Sequence, residues 1–200
     1  MPLTTRQLEV LEIVQALQPR SVALGGGAAL IDAGLVDRPT RDLDFFSNDI
    51  NAIGIFADEL IESLATHGHA PHVITRSQGF VQLEANQVLI DIAHNYLGYD
   101  PIQAAIGLRC ADADLVGGKI EALFARRVNR DMIDVAQLLD RYTMAELVAF
   151  AKDRDAGFSV PITIEMATGN DYDPRQLFDE AEFSAAKAKV LAHLGDLVDP

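Results

Sequence analysis

The fold is decided by a stretch that reads Gly25-Gly26-Gly27-Ala28-Ala29-Leu30 and, after a short spacer, Arg38-Pro39-Thr40-Arg41-Asp42-Leu43-Asp44-Phe45-Phe46. The glycines predict a turn that opens a helix, because glycine is permissive where the chain bends sharply. The apolar run around Asp42 and Asp44 predicts a strand, and residues two positions apart in a strand point to the same face. The two carboxylates should therefore lie side by side.

Neighbouring carboxylates resist ionising beside each other, and a divalent cation removes that conflict. Mg²⁺ is commonly held by one or two carboxylates together with substrate phosphates. A glycine turn at a helix N-terminus offers backbone N–H groups to phosphate. The stretch therefore predicts a metal–nucleotide site, with Asp42 and Asp44 as metal ligands and Gly26 and Gly27 beside the phosphates. A solvated edge strand and a plain strand-to-helix turn are the alternatives.

Apolar periodicity along the chain predicts a mixed sheet flanked by helices, followed by a helical region. Helices are predicted at 6–18, 28–34 and 51–66, and strands at 21–24, 42–46, 71–76, 80–84 and 88–93, with the last three strands in an antiparallel meander. Further helices are predicted at 114–127, 130–141, 144–154, 160–168 and 184–198. We therefore predict an α+β fold with a sheet lobe at 1–110, a helical lobe at 111–200 and a ligand cleft between them.

The composition is that of an ordinary globular chain, with 49% apolar and 23% charged residues. The net charge of −14 argues against nonspecific nucleic-acid binding, which depends on basic surface, although basic residues concentrate between Arg109 and Arg141. The single cysteine, Cys110, cannot form an internal disulfide, no apolar run is long enough to span a membrane, and the first residues lack a signal-peptide core. We expect a cytoplasmic protein without membrane contact.

A third carboxylate, Asp91, interrupts the apolar strand Val88-Leu89-Ile90-Asp91-Ile92-Ala93. Both faces of this strand are apolar in the sequence, which predicts burial on both sides, and a buried carboxylate without a partner is costly. Asp91 therefore needs a metal cation, an arginine or a proton. It either joins the two aspartates of the Asp-x-Asp strand at the metal or forms a structural pair with Arg76 or Arg109.

Other charged residues have two interpretations each. Lys119 lies at the margin of the apolar face of its predicted helix. There it either reaches the triphosphate of an NTP or remains solvated. Asp131 and Asp134 share a helix face because they are three positions apart, and they serve either catalysis or the locking of two helices together. Arg38 and Arg41 precede the Asp-x-Asp strand and either contact phosphate or screen the carboxylates.

Together these residues resemble one known family. The matching elements are Leu24-x-Gly26-Gly27-Ala28-Ala29-Leu30, Arg38-x-Thr40-x-Asp42-Leu43-Asp44-Phe45, Asp91, Lys119-x-x-Ala122-Leu123 and Arg130-Asp131-x-x-Asp134. Over about residues 22–140, the chain resembles the AbiEii/MenT nucleotidyltransferase toxins of bacterial toxin–antitoxin systems, which have the DNA polymerase β-like nucleotidyltransferase fold. The glycine and Asp-x-Asp elements belong to that whole superfamily, whereas the lysine and Arg-Asp-x-x-Asp elements point to the toxins.

The resemblance implies an enzyme that uses an NTP as substrate and Mg²⁺ as cofactor, with Mn²⁺ as an alternative. By resemblance, the metal is held by Asp42, Asp44 and Asp91. Asp91 looks like the base that activates the acceptor hydroxyl. Lys119 is similar to a lysine that contacts the nucleotide, and Asp131 resembles a further functional acid of the family.

The resemblance also implies partners. Some family members transfer nucleotides to the 3′ acceptor end of tRNA and thereby block translation, and they are paired with a cognate antitoxin, so an RNA acceptor and an antitoxin are implied here. Gly26 and Gly27 would shape the phosphate turn. At Ala28 the family often has serine or threonine, so a phosphate-facing hydroxyl is absent and nucleotide preference or affinity is put in question.

Two further functions stay open at this point. One is a small-molecule nucleotidyltransferase of the kind that adenylylates aminoglycosides, because an acidic surface suits a cationic substrate. The other is a catalytically silent nucleotidyltransferase-like module that acts by protein binding, which the complete set of carboxylates disfavours.

Overall fold

A computed structural model describes residues 3–173 and 179–197, and it confirms the predicted α+β class with a mixed seven-stranded sheet and flanking helices. The chain divides into two compact units between Leu115 and Val116. The sheet lies in the first unit, and helices form the second. The lobe boundary after residue 110 and the cleft stay predictions.

The elements follow one another in the order expected for the first hundred residues, with two additional short strands after them. Their bounds are α1 (Thr5–Leu17), β1 (Ala23–Gly25), α2 (Gly26–Asp32), β2 (Asp42–Ser47), α3 (Ile50–Thr66), β3 (His72–Ser77), β4 (Phe80–Ala85), β5 (Val88–His94), β6 (Ile102–Ala104), β7 (Gly107–Arg109), α4 (Asp112–Ala125), α5 (Asn129–Leu138), α6 (Met144–Arg154), α7 (Val160–Thr168) and α8 (Glu180–Gly195).

The strands are ordered β3-β4-β5-β2-β1-β7-β6. β2 runs parallel to β5 and antiparallel to β1, and β3, β4 and β5 form the predicted antiparallel meander. β2 is therefore an interior strand, with a hydrogen-bonded neighbour on each side. The edge-strand alternative for Asp42 and Asp44 is wrong for that reason.

Strands β2 and β5 each have one buried face. Leu43 and Phe45 are buried in β2, whereas Asp42 and Asp44 lie on the half-buried face, as the two-residue period requires. In β5 the buried residues alternate with Leu89, Asp91 and Ala93, which are half-buried. The prediction that β5 is buried on both faces is therefore wrong. One face of β5 is only half-buried, as is one face of β2.

Some details of the elements also differ from the predictions. β6 and β7 were not predicted, because three residues are too short to show a period. Helical spacing predicts Leu8 and Ile55 on the core-facing sides of α1 and α3, but they are 41% and 60% exposed. In α1 the buried positions include Gln7 and Val10 instead. Residue 198, at the predicted end of the last helix, lies outside the described residues, as do Met1 and Pro2.

The helices of the second unit begin where local signals place them. Thr143 caps α6 in a capping box, in which Glu146 N donates to its hydroxyl and its own N–H donates to the Glu146 carboxylate. Pro161 lies in the first turn of α7, where its missing N–H costs no helical bond. Within residues 3–173 and 179–197, no helix combines the length and the apolar character needed to cross a membrane.

Candidate active site

Asp44 packs directly against the glycine turn. Its strand partner across the β1–β2 pair is Gly25, and the following Gly26 has φ of +57°, a left-handed conformation that side chains disfavour. A Cβ at Gly26 would overlap the Asp44 carboxylate. The turn therefore has two reasons to contain glycine, and its shape places a carboxylate at the N-terminal end of α2.

The Asp42 carboxylate is oriented by the loop that precedes β2. The Thr40 hydroxyl donates to Asp42 Oδ1 at 2.6 Å. The Thr40 carbonyl in turn accepts a bond of 3.1 Å from the buried Gln7 side chain of α1. The loop before β2 is thus tied to α1, and this fixes where the Asp42 carboxylate points.

The strand register brings Asp91 beside Asp44. The parallel pairing of β2 with β5 makes these two residues direct partners, and residues paired in this way project to the same face. Gln82 of β4 donates to Asp91 Oδ1 at 2.8 Å. Asp44 and Asp91 therefore occupy neighbouring positions on the half-buried face of the sheet, and a neutral amide orients Asp91.

The arginines proposed as structural partners of Asp91 make ion pairs with other acids. Arg76 binds Asp58 with two hydrogen bonds of 2.6 and 2.9 Å. Arg109 forms ion pairs with Asp32 at 3.3 Å and Asp112 at 2.8 Å. Both guanidinium groups are therefore engaged by carboxylates other than Asp91.

The carboxylates suit Mg²⁺ in the presence of a phosphate ligand. Within the described ranges, no three His, Cys, Asp or Glu side chains form a group that could hold a metal ion as they stand. Mg²⁺ is typically bound by one or two carboxylates and by substrate phosphates. The hard oxygens of Asp42 and Asp44 beside the glycine turn fit that mode of binding, whereas a metal held by protein ligands alone does not fit.

Of the two arginines before β2, Arg38 lies against the glycine turn. Arg38 is 3% exposed, and a Cβ at Gly27 would lie 3.0 Å from its Nη2 atom. Its Nη1 donates to the Pro39 carbonyl at 3.0 Å. Arg41 is exposed. The buried guanidinium therefore supplies positive charge next to Gly27, where an incoming phosphate is predicted.

In the second unit, Lys119 is buried and doubly paired. Its side chain is 10% exposed, and Nζ lies 3.2 Å from Asp131 Oδ1 and 2.9 Å from Asp134 Oδ2. Both aspartate side chains are fully buried. The solvated-lysine alternative is therefore wrong, and the ion pairs join α4 to α5, as the structural interpretation of the two aspartates proposed.

Asp131 has a second cationic partner. Arg126 donates to it from Nε at 2.8 Å and from Nη2 at 3.4 Å. Burial by itself raises the pKa of the Asp131 carboxyl, but Lys119 and Arg126 outweigh that effect and hold the pKa below the ordinary value of 3.8. Asp131 is therefore ionised at neutral pH. Its stabilising contribution is complete above pH 3.8 and is lost as the pH falls through the lower folded-state pKa.

The predicted site residues thus form two groups. The first unit holds Gly26, Gly27, Arg38, Arg41, Asp42, Asp44 and Asp91, and the second holds Lys119 and Asp131. Gln7 and Gln82 also orient the site, and their positions in the sequence did not predict this. Each is an ordinary polar residue in a helix or strand pattern, and only the tertiary contact reveals its role.

Comparison with known proteins identifies similar folds. A family model described as the nucleotidyl transferase AbiEii toxin of type IV toxin–antitoxin systems matches residues 9–197. The structure of MenT4, a nucleotidyltransferase toxin from Mycobacterium tuberculosis, is 17% identical with a TM-score of 0.64, over 95% of this chain and 82% of that one. JHP933 from Helicobacter pylori is 18% identical with a TM-score of 0.53, over 98% and 97%.

A third similar structure is that of ANT(2″)-Ia in complex with adenylyl-2″-tobramycin. It is 17% identical with a TM-score of 0.56, over 76% of this chain and 99% of that one. No curated protein matches the sequence. At these identities the structural matches show the fold, and they confirm the predicted nucleotidyltransferase-like sheet.

Gly26→Ala should destabilise the protein more than Gly68→Ala does. Both glycines have positive φ, so each substitution should cost about 1–2 kcal/mol of backbone strain. Only the Cβ at Gly26 meets another group, the Asp44 carboxylate, whereas that at Gly68 meets open space. Urea unfolding measures both costs. Equal losses in the two variants would contradict the packing of Asp44 against the turn.

Lys119→Met should lower the free energy of unfolding by about 3–5 kcal/mol, because it leaves two buried carboxylates without their shared cation. Lys152→Met is the matched control, since Lys152 is exposed on α6, and it should cost less than about 0.5 kcal/mol. Adding Asp134→Asn to Lys119→Met should recover part of the loss. A Lys119→Met protein as stable as the Lys152→Met control would show that the ion pairs do not form.

Proposed function

The chain belongs to the nucleotidyl transferase AbiEii toxin family, and from this premise we propose that it transfers a nucleotide from an NTP to the 3′-hydroxyl of an RNA. We further propose that the acceptor is the end of a tRNA, that the modified tRNA no longer supports translation, and that a cognate antitoxin restrains the enzyme. The family and fold make the protein a nucleotidyltransferase. The acceptor, the metal and the roles of individual residues are our proposal.

One observation carries the proposal. The register of β2 and β5 makes Asp44 and Asp91 neighbours, while the glycine turn lies against Asp44. Carboxylates for a cation and backbone N–H groups for a phosphate therefore lie together, which is what the transfer of a nucleotide requires. When bound with the NTP, Mg²⁺ would polarise the phosphate oxygens and offset the charge that develops during transfer.

The residues of the first unit divide the remaining work. Gly26 and Gly27 allow the phosphates to approach the backbone at the start of α2, and the buried Arg38 adds positive charge behind the turn. Asp42 and Asp44 would hold the metal. Asp91, oriented by Gln82, would accept the proton of the RNA 3′-hydroxyl as its oxygen forms a bond to the α-phosphorus. The bond from that phosphorus to the bridging oxygen then breaks, and pyrophosphate leaves.

A second candidate acceptor is a small cationic molecule. The net charge of −14 favours a positively charged substrate over a polyanion. ANT(2″)-Ia, which is similar in fold, has a structure in complex with adenylyl-2″-tobramycin, and this supports a small-molecule acceptor as the second candidate. The toxin family of this chain favours the RNA acceptor, and an assay with both acceptors separates the two.

Asp44→Asn should abolish nucleotide transfer while the protein remains folded. Loss of a metal ligand removes several kcal/mol of transition-state stabilisation, which corresponds to a rate about 100-fold lower or more. The matched control is Asp100→Asn, which removes the same charge from an exposed loop. Incorporation of label from NTPs is measured with Mg²⁺ and with EDTA. Transfer by Asp44→Asn at the wild-type rate, or transfer that persists in EDTA, would refute the metal assignment.

The acceptor should be the 3′ end of RNA. We expect label from one of the four NTPs to enter deacylated tRNA and not to enter tRNA whose 3′-terminal ribose has been oxidised with periodate. The control replaces RNA with tobramycin as the acceptor. Label in tobramycin alone would support the small-molecule enzyme, and label in both intact and oxidised tRNA would contradict transfer to the 3′-hydroxyl.

A further inference from the structure

We propose that Arg126 binds a phosphate group of the substrates and that Asp131 is a positioning residue that holds Arg126 in place. This inference rests on the proposed function, and it changes the role expected for Asp131, which the sequence suggested as a catalytic acid. The ligand is a phosphate, carried either by the NTP or by the RNA backbone.

The basic stretch from Arg109 to Arg141 offers less surface charge than its sequence suggests. Arg109 has a side chain that is 7% exposed and is paired with two acids. Lys119 is almost as buried and also forms ion pairs with two acids. Arg127 donates to Asp171 and to the Met166 carbonyl. These three cations are therefore engaged by carboxylates and a carbonyl of the protein itself.

Arg126 differs from them because its guanidinium is both fixed and accessible. Its side chain is 45% exposed, whereas its carboxylate partner Asp131 is completely buried. Nε and Nη2 face that partner. No other hydrogen bond or ion pair involves its side chain among the residues that the structure describes. An arginine has more N–H donors than these two bonds use, so the rest are available to a ligand.

The anchoring makes Arg126 suited to binding phosphate. A free arginine on a surface loses side-chain entropy when it binds, whereas a guanidinium already held by a carboxylate has lost most of it. Asp131 is held in turn by Lys119, so its own position does not depend on Arg126. The planar fork matches phosphate oxygens, and this geometry is not available to a lysine.

The local charges also favour an anion at this position. Three cations, Lys119, Arg126 and Arg130, act on Asp131, and Asp134 is the second acid of the group. The acids are fully buried and Arg126 is the exposed member of its pair with Asp131, so solvent meets a cation there.

The test compares Arg126→Gln with Arg141→Gln, a control that removes the same charge from an exposed arginine of the same unit. Arg126→Gln should remain folded, because Lys119 and Arg130 still act on Asp131. Equilibrium binding is measured with deacylated tRNA and with NTP analogues whose α–β bond resists cleavage. A charge-assisted hydrogen bond to phosphate predicts binding about 10- to 100-fold weaker in Arg126→Gln, with little change in Arg141→Gln.

Two arms identify the phosphate. If it belongs to RNA, the slope of log Kd against log salt for tRNA should fall by about one in Arg126→Gln, while analogue binding stays unchanged. If it belongs to the NTP, analogue affinity should fall and the tRNA slope should stay the same. Arg126→Lys should recover only part of either loss, because a lysine cannot reproduce the fork.

The positioning role of Asp131 has its own signature. Asp131→Asn should raise the KM for the same substrate as Arg126→Gln does and leave kcat near the wild-type value. The double variant should be no worse than either single variant, because the two residues act through one contact. A large loss of kcat in Asp131→Asn, with Arg126→Gln normal, would overturn the proposal and support a catalytic acid.

The two proposals fail in different ways. Binding by Arg126→Gln that equals binding by Arg141→Gln would overturn the phosphate role, whatever the transfer assay shows. A wild-type protein that binds tRNA and analogue through Arg126 but transfers no label would refute the proposed reaction and leave the phosphate site intact. A wild-type protein that binds neither ligand would refute both.

Discussion

The packing of the Asp44 carboxylate against Gly26 is the contact on which the rest of the site depends. It requires a glycine with positive φ at the start of α2 and a strand that runs antiparallel to β1 at that point. The same strand is paired in parallel with β5, so the contact also fixes which residue of β5 lies beside Asp44. A one-residue slip of β2 would place Leu43 there and turn both aspartates toward the core. The turn and the register therefore stabilise each other.

The two units use carboxylates in opposite ways. In the first unit, Asp42 and Asp91 lie on a half-buried face, and a hydroxyl and an amide orient them. Neutral donors such as these fix the direction of a carboxylate without cancelling its charge. In the second unit, Asp131 and Asp134 are completely buried and shared with Lys119. Lys119 offsets one of their two charges and Arg126 also pairs with Asp131, an arrangement typical of a structural ion-pair network.

The sequence predicts the sheet face of the aspartates because a strand has a period of two, and this period does not depend on the neighbouring strands. It places Asp131 and Asp134 on one helix face for a similar reason. The sequence does not show which residues of neighbouring strands and helices contact these aspartates. Gln82 reaches Asp91 from a neighbouring strand, and Lys119 reaches Asp131 from a neighbouring helix. Both contacts depend on register and packing, which local periodicity does not contain. The burial of Lys119 was unexpected for the same reason.

The contribution of the buried ion pairs to stability does not by itself explain why charged residues occupy the core of the second unit. Taking Lys119, Asp131 and Asp134 out of water is costly, and apolar residues of similar size often stabilise a core at least as well. An apolar core would, however, have nothing with which to hold an arginine at its surface. Asp131 links the buried lysine to the exposed Arg126, and an ionised carboxylate binds a guanidinium more strongly than a neutral acceptor does. The buried ion pairs therefore hold an arginine at the surface, which an apolar core of similar size would not do.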